Sequence, residues 1–326
     1  ERKYTGKGKD KYLTGTDGFQ QIEVNNIGEK IRTLGIKAPE PGHNLVLNID
    51  LGLQRYTENY LKKEFYRLRQ QAEKDKEMSK PTGAGVIVMD PNSGAIKTMT
   101  SIPGYNLNLF ARGISSQEFK ELSNNKLKPL FNRNLMAEVP PGSVFKLVTG
   151  STAIENLDVK ADTTFYDKNA TFSRPGWETT FRNWYPVGEG KLTFTRAIAR
   201  SNNIIFYKLG YRLYQKYKGS KLVEFARKFG LGSETGIDLP GEKSGLVPDG
   251  DWKRKKFGHG WLPGDSINLS IGQGNLLTTP LQIAQMVSVI ANEGTMYKPF
   301  ILDKVIDSEG KLIKDIKPVV KKKLDF

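Results

Sequence analysis

An α+β fold is predicted for this 326-residue chain from two observations. Strand-like patterns occupy 43–50 and 83–103, and most of the chain after residue 143 has helical periodicity. Strands first and helices after call for an antiparallel sheet beside a helical subdomain. The length allows one large domain with ample core and a smaller one.

Residues 1–46 are rich in Gly, Lys and polar residues; "FQQIEVN" (19–25) and "EKIRTLG" (29–35) read as strands, with too few apolar residues for a sizeable core. "HNLVLNID" (43–50) alternates apolar and polar. A long amphipathic helix is expected over 50–76, with Asp50 as N-cap. "GAGVIVMDPNSGAIKTMTSIP" (83–103) is a hairpin whose Asp-Pro-Asn-Ser-Gly turn has Pro early and Gly last. Helices are expected at 143–156, 193–200, 203–218, 219–229 and 280–292, the last capped by Thr279 with Pro280 in its first turn. There is no internal repeat.

Composition excludes several classes of function. With no cysteine there is no disulfide, thiolate metal site or cysteine nucleophile. Two histidines, His43 in a Pro-Gly turn and His259 in a Gly-flanked loop, cannot build a His-rich metal cluster and read as structural. The net charge of +15 is dispersed apart from "VVKKKLDF" (319–326), with no nucleic-acid motif or phosphate loop. It reads as a solvated surface, and nucleic acid is not expected as a partner. No stretch approaches 18 apolar residues, yet the sequence opens at "ERKYTGKGKD" without an initiator Met and reads as an interior fragment.

The chemistry is expected in "EVPPGSVFKLVTGSTAIENL", where Ser143 follows a Pro-Pro-Gly turn and Lys146 stands three residues on. That spacing puts hydroxyl and amine on one helix face. The helix N-terminus disfavours a nearby ammonium and favours an oxyanion. Val144, Phe145, Leu147 and Val148 are expected to bury the first turn, desolvating the amine so that it can act as a base. Ser-x-x-Lys also occurs at Ser123–Lys126, in polar "ELSNNKLKPL", and at Ser308–Lys311, in a turn between strands; neither precedes a buried helix. A second element is "AIARSNNIIFY" (197–207), where Ser201-Asn202-Asn203 interrupts two helical patterns. Ser123-Asn124-Asn125 repeats its letters in what reads as a polar loop.

Ser143-x-x-Lys146 and Ser201-x-Asn203 resemble the first two motifs of penicillin-binding proteins and active-site-serine β-lactamases. The likeness extends through "HNLVLNIDLGLQ", "VIVMDPNSGAIKTMTSIPGYNLNLF", "PLFNRNLMAEVPPGSVFK" and "SIGQGNLLTTPLQIAQM", which are similar to class B members. "NLNLFARGIS" and "TGIDLPGEKSGLVPDGDWK" most resemble the elongation type, penicillin-binding protein 2. The resemblance implies a penicillin-binding transpeptidase fold over 47–326, with 1–46 part of a non-catalytic, β-rich N-terminal pedestal. It implies a peptidoglycan D,D-transpeptidase that acts on stem peptides ending in D-Ala-D-Ala and is trapped by β-lactams. Ser143 would be the nucleophile, Lys146 the base, Ser201 the proton relay, and Asn203 a partner of Lys146 and of the substrate amide. No cofactor is implied.

The resemblance further implies an anchor in the bacterial inner membrane, outside this sequence, and a periplasmic catalytic domain. A SEDS-family glycosyltransferase (RodA-like) and an MreC-like shape protein would be its partners. Some relatives bind zinc outside the cleft; with no cysteine, and Glu189 where a histidine is expected, that site is not carried over.

The family's third motif, Lys-Thr/Ser-Gly on a strand beside the nucleophile, is expected beyond Phe326. Lys243-Ser244-Gly245 matches three of its letters but precedes "GQGNLLTTPLQIA" and has Leu246 where a hydroxyl is wanted, so it reads as a loop. A β-lactamase, a β-lactam sensor and a non-catalytic scaffold of the elongation machinery are the alternative readings.

Overall fold

The computed structural model describes residues 12–111 and 113–325. Every named ladder among them is antiparallel. The N-terminal hairpin, β1 (Phe19–Val24) and β2 (Lys30–Lys37), leaves Phe19, Ile22, Val24, Ile31, Leu34 and Ile36 exposed, so it forms no sizeable core of its own. Strand β3 (Asn44–Leu47) ends just before helix α1 (Leu51–Lys74). The Asp50 side chain accepts from Leu53 N–H at 2.9 Å, making the expected N-cap.

The hairpin of β4 (Ala84–Met89) and β5 (Ile96–Ile102) closes through Asp90, whose carboxylate accepts from Asn92 N–H and Ser93 Oγ–H, with Gly94 at φ 81°. Gln54 of α1 accepts from Met99 N–H and donates to Met99 C=O, satisfying the side of β5 away from β4.

Helix α2 (Ser116–Asn124) is a departure from the polar loop expected there. Ser115 and Glu118 form a reciprocal capping box that starts it, and the Ser123 hydroxyl donates to Phe119 C=O at 2.7 Å. Ser308–Lys311 lies, as expected, in the turn between β10 (Leu302–Ile306) and β11 (Leu312–Asp315). β10 also pairs with β3, bringing a strand from late in the chain beside one from early in it.

The helical block begins with a second departure. Residues Gly142–Phe145 form a 3₁₀ turn, and the α-helix, α3 (Lys146–Leu157), starts only at the lysine. In a 3₁₀ turn positions i and i+3 eclipse, so Ser143 and Lys146 still lie one above the other. Phe145 and Val148 are fully buried, whereas Val144 faces out. Short strands β6 (Thr164–Asp167) with β9 (Gly190–Thr193), and β7 (Thr171–Phe172) with β8 (Phe181–Arg182), precede α4 (Phe194–Ala199) and α5 (Asn203–Tyr217). Helices α6 (Ser220–Lys228), α7 (Gly250–Phe257), α8 (Pro263–Leu269) and α9 (Pro280–Ala291) complete the block, α9 with a Thr279–Gln282 capping box.

Two apolar clusters meet at α3. Phe145 and Val148 belong to one with Leu222, Phe229 and Met286; Ala153 belongs to the other with Phe194, Phe206 and Ile267. The 3₁₀ turn is locked from outside by backbone. Gly142 N–H donates to Gly272 C=O at 2.9 Å, and Thr149 Oγ–H donates to Ser270 C=O. A Cβ on Gly272 would lie 2.1 Å from Gly142 O and 2.7 Å from Phe145 Cβ, and Gly272 has φ 71°. Gly272→Ala is therefore expected to lower the unfolding free energy by more than about 1 kcal/mol. Gly264→Ala, with nothing within 4 Å of the added carbon, is expected to stay within about 0.5 kcal/mol. Urea denaturation of both variants checks the contrast.

Candidate active site

The site is built where α3 passes the break between α4 and α5. Lys146 is 3% exposed, and its amine reaches across the break to three oxygens. It contacts Ser201 C=O at 2.7 Å, Ser201 Oγ at 3.0 Å and Asn203 Oδ1 at 2.6 Å, with the Phe206 ring 5.3 Å away. Three acceptors match the three protons of an ammonium. A neutral amine keeps two, and its lone pair can then accept the Ser201 hydroxyl proton.

Burial pulls the amine down from 10.5 to about 8. That shift amounts to about 3 kcal/mol in favour of the neutral form, and it leaves roughly one amine in ten unprotonated at pH 7. Ser143 is exposed on its turn, and its Oγ makes no hydrogen bond to the described residues. A hydroxyl open to a ligand thus stands one turn from an amine that burial has primed to take a proton.

Ser201 has φ 49°, a left-handed conformation that costs a non-glycine residue about 1 kcal/mol or more. It is this conformation that presents carbonyl and hydroxyl to the same amine. The structure thus brings together three of the four residues expected from sequence, Lys146, Ser201 and Asn203, with Ser143 on the adjoining turn. Asn203 N–H donates to Asn183 Oδ1 at 3.0 Å, a support that no sequence pattern singles out.

Lys243-Ser244-Gly245 lies outside this network. Lys243 N–H donates to Leu135 C=O, Gln282 donates to Ser244 C=O, and Leu246 forms a bridge with Leu277. Leu246 thus occupies a backbone pairing where the third motif would need a hydroxyl. His43 donates its N–H to Tyr12 C=O, and the His259 ring stacks on Phe257. Glu189 pairs with Arg200 and accepts from Asn202. Among the described residues no group of three or more His, Cys, Asp or Glu is placed to hold a metal ion, and no helix is long and apolar enough to cross a membrane.

The family model described as "Penicillin binding protein transpeptidase domain" matches residues 84–326. The chain belongs to the penicillin-binding protein transpeptidase family. It is 34% identical over 306 residues to the peptidoglycan D,D-transpeptidase MrdA of Escherichia coli K12, a match covering 94% of this chain and 44% of that protein. The Haemophilus influenzae MrdA is 33% identical, over 89% of this chain and 41% of that one.

Among solved structures, a chain of a peptidoglycan synthase complex that coordinates polymerization and crosslinking superposes with TM-score 0.81 at 32% identity. That match covers 96% of this chain and 52% of the other. A PBP2 chain from the Helicobacter pylori complex with MreC superposes with TM-score 0.71 at 32% identity, over 94% and 52% of the two chains. This penicillin-binding transpeptidase chain thus spans about half the length of its relatives or less. Its α+β architecture is theirs.

The role expected of Lys146 from the sequence, as the base for acyl transfer to Ser143, can be tested directly. Lys146→Ala is expected to slow penicillin acylation by about 10²–10⁴-fold. Lys146→Arg is expected to do no better, because a guanidinium does not deprotonate at working pH. Stopped-flow acylation rates of the two variants check this; near-normal acylation with arginine would reduce Lys146 to a positive charge.

Proposed function

We propose that the protein carrying this chain is a peptidoglycan D,D-transpeptidase of the cell-elongation type, acting through an acyl-enzyme on Ser143. The observation that carries the reading is the buried Lys146 amine held between Ser201 and Asn203, one turn from an exposed serine. The D,D-transpeptidase activity of the MrdA relatives, and the peptidoglycan synthase and PBP2–MreC complexes, support it.

In the first half-reaction the Ser143 oxygen bonds to the carbonyl carbon before the terminal D-Ala, while its proton passes to Lys146. The Ser143 backbone N–H is positioned in sequence to stabilise the oxyanion. The C–N bond then breaks, and the departing nitrogen takes a proton from Lys146 through the Ser201 hydroxyl, which lies 3.0 Å from the amine. In the second half-reaction an amine of a neighbouring stem peptide attacks the ester and passes its proton through the Ser201 hydroxyl to Lys146; the C–O bond breaks, and Lys146 returns a proton to the Ser143 oxygen. Asn203 holds Lys146 through Oδ1 and leaves its amide N–H₂ for the substrate's peptide backbone. β-Lactams present the same carbonyl geometry and acylate Ser143.

Residues 1–46 act as part of a pedestal, consistent with the exposed β1–β2 hairpin, and 47–326 belong to the transpeptidase domain. An MreC-like protein and a SEDS-family glycosyltransferase are the partners, and the inner membrane with the catalytic domain in the periplasm is the location.

Labelling the intact protein with a fluorescent penicillin, digesting it and mapping the adduct tests the assignment. One adduct is expected, on Ser143, and none with Ser143→Ala. Labelling at Ser123 or Ser308, or labelling that survives Ser143→Ala, overturns it. Rapid turnover of the adduct would make the protein a β-lactamase.

A further inference from the structure

Asn202, the middle residue of Ser201-Asn202-Asn203, is wholly buried and uses its side chain in three directions. Its Oδ1 accepts from Ile205 N–H at 3.1 Å, capping α5. Its amide N–H₂ donates to two separate carboxylates, Asp167 Oδ2 at 2.8 Å and Glu189 Oε2 at 2.9 Å. Asp167 is itself wholly buried, and its other oxygen accepts from Ala170 N–H, which fixes the turn after β6. Glu189, at the foot of β9, accepts on its other oxygen from Arg200 Nε. Burial works to raise the Glu189 carboxyl, and the hydrogen bonds from Arg200 and Asn202 outweigh it, leaving it below the usual range. Arg200 in turn lies against the Trp184 and Tyr185 rings, and its carbonyl accepts from Trp184 Nε1–H.

Ser201 is thus gripped on both sides. Arg200 before it and Asn202 after it are tied to the same carboxylate, Glu189. Between the two anchors the chain adopts the left-handed conformation that turns both Ser201 oxygens toward Lys146. That conformation is uphill for serine, and it is held in part by the backbone that closes α4, where Ser201 N–H donates to Ile198 C=O at 2.9 Å and Asn202 N–H to Ala197 C=O at 3.0 Å.

We infer that Asn202 is a positioning residue for acyl transfer. By bridging Asp167 and Glu189 it fixes this helix end, and with it the left-handed Ser201, so that the Ser201 carbonyl and hydroxyl aim at the Lys146 amine. The inference rests on the transpeptidase reading for its catalytic consequence, but not for the anchoring itself. A cap alone does not account for asparagine: Asp or Ser caps a helix about as well, and Asp would keep the acceptor for Ile205 N–H. What Asp cannot do is donate to two carboxylates in a buried place; it would add a third.

Asn202→Asp is therefore the discriminating variant, studied in the intact protein by two readouts. Amide hydrogen exchange over residues 201–205 is expected to speed about tenfold or more. Penicillin acylation of Ser143 is expected to slow by about 10–100-fold, the effect of a misplaced catalytic group, with the non-covalent dissociation constant within about threefold. Adding Glu189→Gln is expected to recover part of both losses, because the new amide can donate to the new carboxylate. If Asn202→Asp does not fold, Glu189→Gln and Asp167→Asn, which each remove one anchoring charge, are expected to move both readouts in the same direction more weakly.

Unchanged exchange in the folded variants overturns the anchoring. Faster exchange with unchanged acylation overturns the positioning role. Faster exchange in a protein whose wild type is never acylated would instead uphold the anchoring and sink the transpeptidase reading.

Discussion

A lysine amine taken out of water is the constraint around which the rest of this chain is arranged. An ammonium buried without partners is prohibitively unfavourable, and a neutral amine with three acceptors around it wastes one of them. Lys146, between the Ser201 carbonyl and hydroxyl and the Asn203 amide, is held between these limits, with burial lowering its affinity for a proton to about 8. Both protonation states then find partners, as the proposed base requires.

Meeting that constraint takes three parts of the chain that local sequence does not join. Phe145 and Val148 root the Ser143 turn in one apolar cluster, and Phe206, beside the amine, belongs to the other. The turn itself is closed by Gly272, whose lack of a side chain lets its backbone reach Gly142. The strained serine is supplied by the break between two helices. Errors at any of the three would shift hydroxyl or amine by a fraction of an ångström, enough to matter to a reaction that depends on near-attack geometry.

Elements ruled by neighbouring residues are legible in the sequence. Asp50 before α1, Thr279-Pro280 before α9 and the Asp90–Gly94 turn each satisfy their own backbone groups within a few residues, so the letters suffice. That Ser143 alone of the three Ser-x-x-Lys serines leads a buried apolar helix is also legible. Ser123 reads as loop because its helix starts from the Ser115–Glu118 box and has few apolar residues to announce it. The 3₁₀ form of the Ser143 turn depends on packing against Gly272, and the contacts of Asn202 and Asn203 depend on a carboxylate from β6 and on a carboxylate and an amide from the segment between β8 and β9. Strands of two to four residues such as β6–β9 carry too little alternation to be seen.

The most direct test of Lys146 as the base is an NMR titration of its side chain, monitored through the ε-carbon with selective lysine labelling and assigned by Lys146→Arg. A midpoint near 8 in the unliganded protein is the result predicted from its burial. Protonation would then fall away as pH rises through that value, well below the 10.4 or so of a solvated lysine. A midpoint at or above the solvated value would mean that the three oxygens merely stabilise an ammonium, and would contradict Lys146 as the base.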